Sequence, residues 1–420
     1  VKRRNAAVSA VAVGAISLGA LAGTSLGAGP GEVKIGGLWP FTGALADFGG
    51  PAQKGADLGV KQLNDAAKAA GVDLTLTMTA VDSQTDPKGA QAGATKLVDA
   101  NGVKCIAGPM ASSEVIGVAQ NVTVDAGVPI VSPSSTAASV RAFDSGGLLF
   151  RVPPPDSLQA RVLAVQVRKA LGTGPISVSG QNDAYGTGLV DGFISEYKKL
   201  GGKISSRTIF PYTATSYDSE AARIVSGNPK GYVIIGFPGN WKTLGPALVR
   251  TGKWNPATSW GTDGLRSSDI PKSVGKKASE GMRGTAPSDK GYKSTSAAFQ
   301  RLWTANKLGK RQTYDAQSFD AAVLCGLAAV AANSSDGEAI AGKIRAVSGP
   351  PGKKYTFLQL PAALKALAAG QDIDYVGASG PIDLAPNGDP SQYNYIVWQY
   401  KNGRLVDGSK LIRGQIKAKS

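Results

Sequence analysis

Residues 108–139 read GPMASSEVIGVAQNVTVDAGVPIVSPSSTAAS, and with the apolar run just before them they hold two copies of one device. An apolar strand ends in small residues, hydroxyls follow, and a helix-like pattern begins. The first copy runs from Lys104, Cys105, Ile106 and Ala107 through Gly108 to Ser112 and Ser113; the second runs from Val128, Pro129, Ile130 and Val131 through Ser132 to Ser134, Ser135 and Thr136. Strand ends that lead into helix starts put hydroxyls and free N–H groups at the carboxyl edge of a parallel sheet, where open α/β sheets bind ligands. Such N–H groups also suit a carboxylate. Any one of these hydroxyls taken alone reads as a helix N-cap; two clusters at successive strand ends read as a site.

The chain around this stretch alternates strand and helix patterns. Short strands are expected over 33–38, 72–81 and 148–152, and helices over 51–70 and 87–100, with Pro87 at the first helical position. Pro153, Pro154 and Pro155 break the pattern, and Asp156 is placed to cap a helix through Leu171. A second run of β/α units follows, with strands expected over 176–179, 203–210, 232–236 and 258–261. This alternation predicts a mostly parallel sheet in each half. Residues 281–287 (GMRGTAP) read as a second break. Helical patterns return over 294–307, 314–332 and 360–369, the middle one almost wholly apolar and so expected to be buried. A strand is expected over 393–400, before a turn at Asn402 and Gly403.

Composition narrows the function. With 420 residues the chain can build two cores, and 42% hydrophobic with 18% charged residues is a globular balance. The net charge is +16, but Lys and Arg are scattered, without a dense basic block or a nucleic-acid-binding signature, so no nucleic-acid partner is expected. There is no His, which removes Ser-His-Asp and Cys-His pairs and H-E-x-x-H metal sites. S-x-x-K occurs at Ser195 to Lys198 and at Ser273 to Lys276 without its S-D-N and K-T-G partners. No Walker A loop or dinucleotide fingerprint is present, so no catalytic residue, metal or cofactor is expected. Cys105 and Cys325 sit in apolar contexts and read as buried free thiols; a disulfide between them stays open, though their spacing gives it no support. Residues 1–31 read as a targeting segment, with basic Lys2, Arg3 and Arg4 before an uncharged stretch rich in Ala, Gly and Leu. Export is therefore expected. A lipid anchor is not, because Thr24 stands where a lipobox would place its Cys.

Six segments in order resemble the leucine/isoleucine/valine-type solute-binding proteins of bacterial ABC transporters: KIGGLWPFTGALADFGGPAQKGADL, AVDSQTDPKGAQAGATKLV, GPMASSEVIGVA, GVPIVSPSSTA, NDAYGTGLVDGF, and DYVGASGPIDLAPNGDP with YIVWQY. The resemblance implies a type I periplasmic-binding fold: two doubly wound lobes with mostly parallel central sheets, joined by three crossovers. It places residues 32–153 and 285–378 in the first lobe, and 154–284 and 379–420 in the second. It implies capture of a small amino acid, branched-chain or related aliphatic, by a monomer that delivers it to ABC permease membrane subunits. Amide or urea-type binding, or sensing for a separate receptor, is the alternative. Ser112, Ser134 and Thr136 match positions that hold the ligand carboxylate, and Asp263 matches an acidic residue that meets its ammonium. Tyr185 is expected to close over the ligand from the second lobe. Phe48 and Phe237 are expected to line its side-chain pocket, with Trp39, Gln181 and Gln317 as rim contacts. Without the resemblance Asp263 reads as a turn or cap residue, Tyr185 as a packing aromatic and Phe48 as a loop anchor.

Overall fold

The computed structural model describes residues 29–415. The expected targeting segment, with Thr24, lies outside them except for its last three residues, 29–31. Strands β1 (Gly31–Trp39), β2 (Leu74–Asp82), β3 (Cys105–Ala107), β4 (Ile130–Ser132) and β5 (Leu149–Arg151) form a fully parallel sheet in the order β2-β1-β3-β4-β5. Strands β6 (Pro175–Gln181), β7 (Lys203–Phe210), β8 (Gly231–Ile235), β9 (Ser259–Gly261) and β10 (Arg283–Pro287) belong to a second sheet. A small sheet follows, of β11 (Lys353–Thr356), β12 (Ile373–Gly377) and β13 (Gly380–Pro381). The chain then returns to the second sheet with β14 (Gln392–Lys401) and β15 (Arg404–Gln415), completing the order β15-β14-β10-β9-β8-β6-β7. Only the pairs β10–β14 and β14–β15 are antiparallel there. The expected boundary between residues 284 and 285 thus falls inside β10.

Helices cover the sheets, which is why the central strands read as continuous apolar runs. Helix α1 (Ala46–Ala70) buries Ala52, Ala56, Leu63 and Ala67 and ends at Gly71, whose φ of 67° gives the left-handed C-cap. It begins five residues before the expected start at Pro51. Gly55 and Gly59 lie against the Asp315 and Phe319 carbonyls, which an added Cβ would approach to 2.3 and 2.7 Å. Those carbonyls belong to the apolar helix α6 (Asp315–Ala332). It is long and apolar enough to cross a membrane, but 89% of it is buried inside the protein, as expected of a core helix. Between them come α2 (Ser112–Val118), α3 (Asp156–Leu171), α4 (Ala184–Lys199) and α5 (Pro238–Arg250).

Three features depart from the sequence reading. Cys105 of β3 and Cys325 of α6 form a disulfide rather than free thiols, with Cα atoms 6.0 Å apart across 220 residues of sequence. Their contact is made by packing α6 on the first sheet, which spacing does not reveal. Helix Gly337–Val347 and strands β11, β12, β13 and β15 were not anticipated, and β10 occupies most of the 281–287 stretch read as a break; the helix is capped by Asp336, which accepts the Ala339 N–H at 3.1 Å. Asp156 does not cap α3: Pro155 is the N-cap residue, and the Asp156 side chain makes no cap hydrogen bond.

One buried ion pair joins the sheets' connecting segments to the hydroxyl loop. Arg151, at the end of β5 and 1% exposed, donates from Nε and Nη2 to the two oxygens of Asp389 at 2.6 and 2.9 Å. Its Nη1 donates to the Ala137 carbonyl at 2.9 Å, and Arg141 Nε adds a bond to Asp389 at 2.7 Å. Burial opposes ionisation of Asp389, but the two guanidinium groups hold its carboxyl below the usual carboxylate range. Removing one member of such a pair leaves the other charge buried alone. Asp389→Ala is therefore expected to cost about 3–5 kcal/mol of unfolding free energy, read from urea midpoints at neutral pH. A cost below about 1 kcal/mol would show that the pair is dispensable.

Candidate functional site

The carboxyl ends of both sheets meet at one cavity. The first sheet supplies Met110, Ala111 and Ser112 after β3 and Ser134 and Thr136 after β4, with Leu45 and Phe48 from the start of α1. The second supplies Tyr185 after β6, Phe237 after β8, and Asp263 and Gly264 after β9; Tyr314 enters from just before α6. All seven sequence-derived candidates, Phe48, Ser112, Ser134, Thr136, Tyr185, Phe237 and Asp263, line it. The space between atoms is about 310 Å³, part of it open to solvent.

The first wall is a stitched pair of loops. Ser112 Oγ accepts the N–H groups of Thr136 at 3.2 Å and Ala137 at 3.1 Å, which leaves its own proton free to donate. The Ser134 hydroxyl donates to the Met110 carbonyl at 2.8 Å, and the Ser132 hydroxyl to that of Pro109 at 2.7 Å. Ser135 is not a cap: its hydroxyl is buried without a partner. Gly108 sits at φ 109° with its Cα against the Leu38 carbonyl, so a Cβ there would come within 2.4 Å of that oxygen. This wall presents neutral donors and no basic side chain.

The second wall is aromatic around one carboxylate. Tyr185 stacks on Phe237 with ring centres 5.4 Å apart. The Tyr185 hydroxyl donates to Asp263 Oδ1 at 3.0 Å and lies 2.6 Å from Thr262 Oγ1; the Tyr314 hydroxyl donates to Asp263 Oδ2 at 2.8 Å. Burial pushes the Asp263 carboxyl above its usual range, tempered by the Tyr314, Gln159 and Tyr185 side chains. Gly264 lets the turn close, since a Cβ there would lie 2.5 Å from the Gly236 carbonyl oxygen and 3.2 Å from the Tyr185 hydroxyl.

Sequence reading missed Tyr314, which takes a left-handed φ of 73° as the N-cap of α6. That backbone conformation is uncommon for a bulky residue and clusters at functional sites. Nothing in the stretch RQTYD announces it. Three expected rim residues do not line the cavity. Trp39 is fully buried in the core of the first sheet. Gln181 is buried and donates to Asp183 at 2.9 Å. Gln317 faces a larger opening beside Tyr314, where Arg266 and Lys290 pair with Asp407, and Arg311 pairs with Asp289 and Asp315. Those charges satisfy one another. Among the described residues no cluster of Cys, Asp and Glu suits a metal ion.

Glu114 supports the first wall from behind. It is fully buried, and its Oε2 accepts the Ala111 N–H at 2.9 Å. Burial pushes its carboxyl up to about 8 against an ordinary 4.5. The folded-state value is raised, so the folded protein holds the proton more tightly than the unfolded chain; this contribution is full below about 4.5 and is lost as pH rises towards about 8. Thermal midpoints should therefore fall across that window. Glu114→Gln, which keeps an acceptor, should flatten the slope and melt higher than the parent at the alkaline end. Equal slopes in the two proteins would remove Glu114 as the cause.

Comparison with known proteins gives a consistent picture. A sequence profile of the family described as periplasmic binding protein matches residues 32–404. A chemotactic signal transduction system substrate-binding protein of Halobacterium salinarum is 25% identical over 394 residues, covering 90% of this chain and 91% of that protein. A branched-chain amino acid transporter substrate-binding protein of Streptococcus pneumoniae, solved with isoleucine, superposes with a TM-score of 0.74 at 20% identity, covering 91% of this chain and 99% of that one. An ABC-transporter solute-binding protein of R. palustris, solved with benzoate, gives a TM-score of 0.72 at 19% identity, covering 92% and 99%. One fold thus holds an amine-bearing acid in one protein and an amine-free acid in the other, so the ligand class has to be argued from the site itself.

Proposed function

The chain belongs to the periplasmic binding protein family, and on that footing we propose that it captures a small aliphatic amino acid, branched-chain or related, between two lobes and delivers it to an ABC permease. The observation that carries this reading is the division of labour in one cavity. Neutral polar groups stand on the first-sheet side: the Ser112 and Thr136 hydroxyls and Ser134, whose hydroxyl proton is held by the Met110 carbonyl. The buried carboxylate of Asp263, bonded only to hydroxyls and amide groups, stands on the other. An amino acid brings the complementary pair: a carboxylate for the donors and an ammonium for the acid. Phe48, Leu45, Met110 and Phe237 leave apolar surface for an uncharged side chain.

Lobe closure is supported by contacts that cross between the two sheets' domains. Gly239 N–H donates to the Ala44 carbonyl at 2.9 Å, and Tyr212 donates to the Thr85 carbonyl. Asp47 accepts from Lys242 at 3.0 Å and Ser267 at 2.8 Å. The Cys105–Cys325 disulfide fits an oxidising, extracytoplasmic compartment. Sensing for a separate receptor is a second reading, favoured by the full-length likeness to the Halobacterium chemotactic protein.

Calorimetric titration with aliphatic amino acids tests the first reading. Asp263→Asn is expected to weaken binding at least tenfold, or about 1.4 kcal/mol. Binding of amides or urea with unchanged affinity in Asp263→Asn would discard the amino-acid assignment. Closure has its own test at Gly239, where an added Cβ would lie 2.6 Å from Ala44 Cα. Gly239→Ala should reduce affinity for the same ligand at an unchanged ligand-free melting temperature. Retained affinity would remove this contact from the closed form.

A further inference from the structure

Asp263 is not the only acid at this site. Asp156, the first residue of α3, is 4% exposed, and its N–H donates to the carbonyl of Thr136, a residue of the cavity wall, at 2.8 Å. Neither of its carboxylate oxygens makes a hydrogen bond of ordinary geometry, although the Thr136 hydroxyl lies near enough to favour the charged carboxyl. Two neighbours share this condition: Gln159 Oε1, one turn along α3, and the Tyr395 hydroxyl of β14. The Gln159 amide nitrogen donates to the Thr285 carbonyl at 3.1 Å and also faces Asp263. Arg151, the cation whose field reaches Asp156, is already committed to Asp389 and to the Ala137 carbonyl. Asp156, Gln159 and Tyr395 are not part of the cavity lining itself; Asp156 adjoins it through Thr136, and its charge is felt at Asp263 and at the Tyr185 and Tyr395 hydroxyls. Buried polar atoms without partners are costly. Here they are rich in acceptors and sit beside the acid already assigned to the ligand.

We propose that Asp156 is the second carboxylate of a two-acid seat for the ligand's ammonium, so that the site takes acids bearing a primary amine and rejects amine-free acids of the same shape. This inference rests on the amino-acid reading above. An ammonium offers three N–H donors. Asp263 already accepts a tyrosine hydroxyl on each oxygen, whereas Asp156 has no hydrogen bond of that quality on either oxygen. An amine-free acid leaves Asp156, Gln159 Oε1 and Tyr395 as unsatisfied as before, and a site built to bond a polar group discriminates strongly against the analogue that lacks it.

Binding should also move a proton. The ionisable groups that interact with Asp156 are Asp263 after β9, Asp183 and Tyr185 at the start of α4, Arg151 of β5 and Tyr395 of β14. Burial and the Asp263 charge push the Asp156 carboxyl well above its usual range, with Thr136 and Arg151 opposing them. An arriving ammonium favours the ionised form, so the proton leaves to solvent as the amine enters.

The test is calorimetric titration of the intact protein with leucine, 4-methylpentanoate (leucine's carbon skeleton without the amine) and benzoate, in two buffers of different ionisation heat at mildly acidic pH. The expected result is binding of leucine alone, with proton release, and at least a tenfold loss of leucine affinity in Asp156→Asn together with loss of the release. If Asp156→Asn fails to fold, Asp156→Ser replaces it. Leucine binding that weakens in Asp263→Asn but stays within twofold in Asp156→Asn would overturn the two-acid seat and leave the amino-acid reading standing. Binding of 4-methylpentanoate as tight as leucine would overturn it too, and would mean that water alone occupies the recess. If no amino acid binds the parent, the underlying reading fails first.

Discussion

The bidentate contact between Arg151 and Asp389 is the constraint on which the site geometry depends. It is made across 238 residues of sequence, from the end of the first sheet to the loop that leads into β14. Because the same guanidinium also holds the Ala137 carbonyl, the hydroxyl loop after β4 is fixed to the point where the chain passes between sheets. A planar, permanently charged fork can do this, whereas a lysine would offer a single point charge. Burial makes the arrangement all-or-none: with both partners present the charges are satisfied, and with one absent the remaining charge has no solvent to fall back on.

With that frame in place, the two walls do different electrostatic work. The first offers hydroxyls fixed by backbone groups, Ser134 by the Met110 carbonyl and Ser112 by two N–H groups, so its polar groups are pre-aimed rather than strongly charged. The second concentrates negative charge in a dry, aromatic setting, where a carboxylate interacts more strongly than it would in water. A zwitterion would span the two with little buried charge left over. An anion without an amine would meet the first wall well and the second badly.

Much of this was legible in the sequence because the signals are local. Ser112, Ser134 and Thr136 follow apolar strands directly, and a strand end followed by a helix start fixes where such hydroxyls go. Asp263 and Phe237 needed the family resemblance, since an Asp-Gly turn and a Phe-Pro helix start have commoner structural meanings. Tyr314 could not be read: it reaches the cavity only because the chain returns to the first sheet after building the second, and its partner Asp263 lies 51 residues earlier. Asp156 was misread for the opposite reason. An acid in the first turn of a helix is the usual local pattern for capping, and only the packed structure shows its side chain buried without a cap bond. Trp39, Gln181 and Gln317 failed as rim contacts because each is claimed by its own surroundings in the core, by Asp183 or by the neighbouring charged opening.

The Cys105–Cys325 bond has a consequence for how the molecule responds to damage. Most of the second sheet is built from the chain between these two cysteines. A single cut by a protease anywhere in that interval would leave two fragments still joined covalently through the first sheet and α6. The severed ends would stay tethered near their native positions, and the protein would separate into pieces only once a reductant reached the buried sulfurs. In an extracytoplasmic setting, that makes the first sheet an anchor for the integrity of the second.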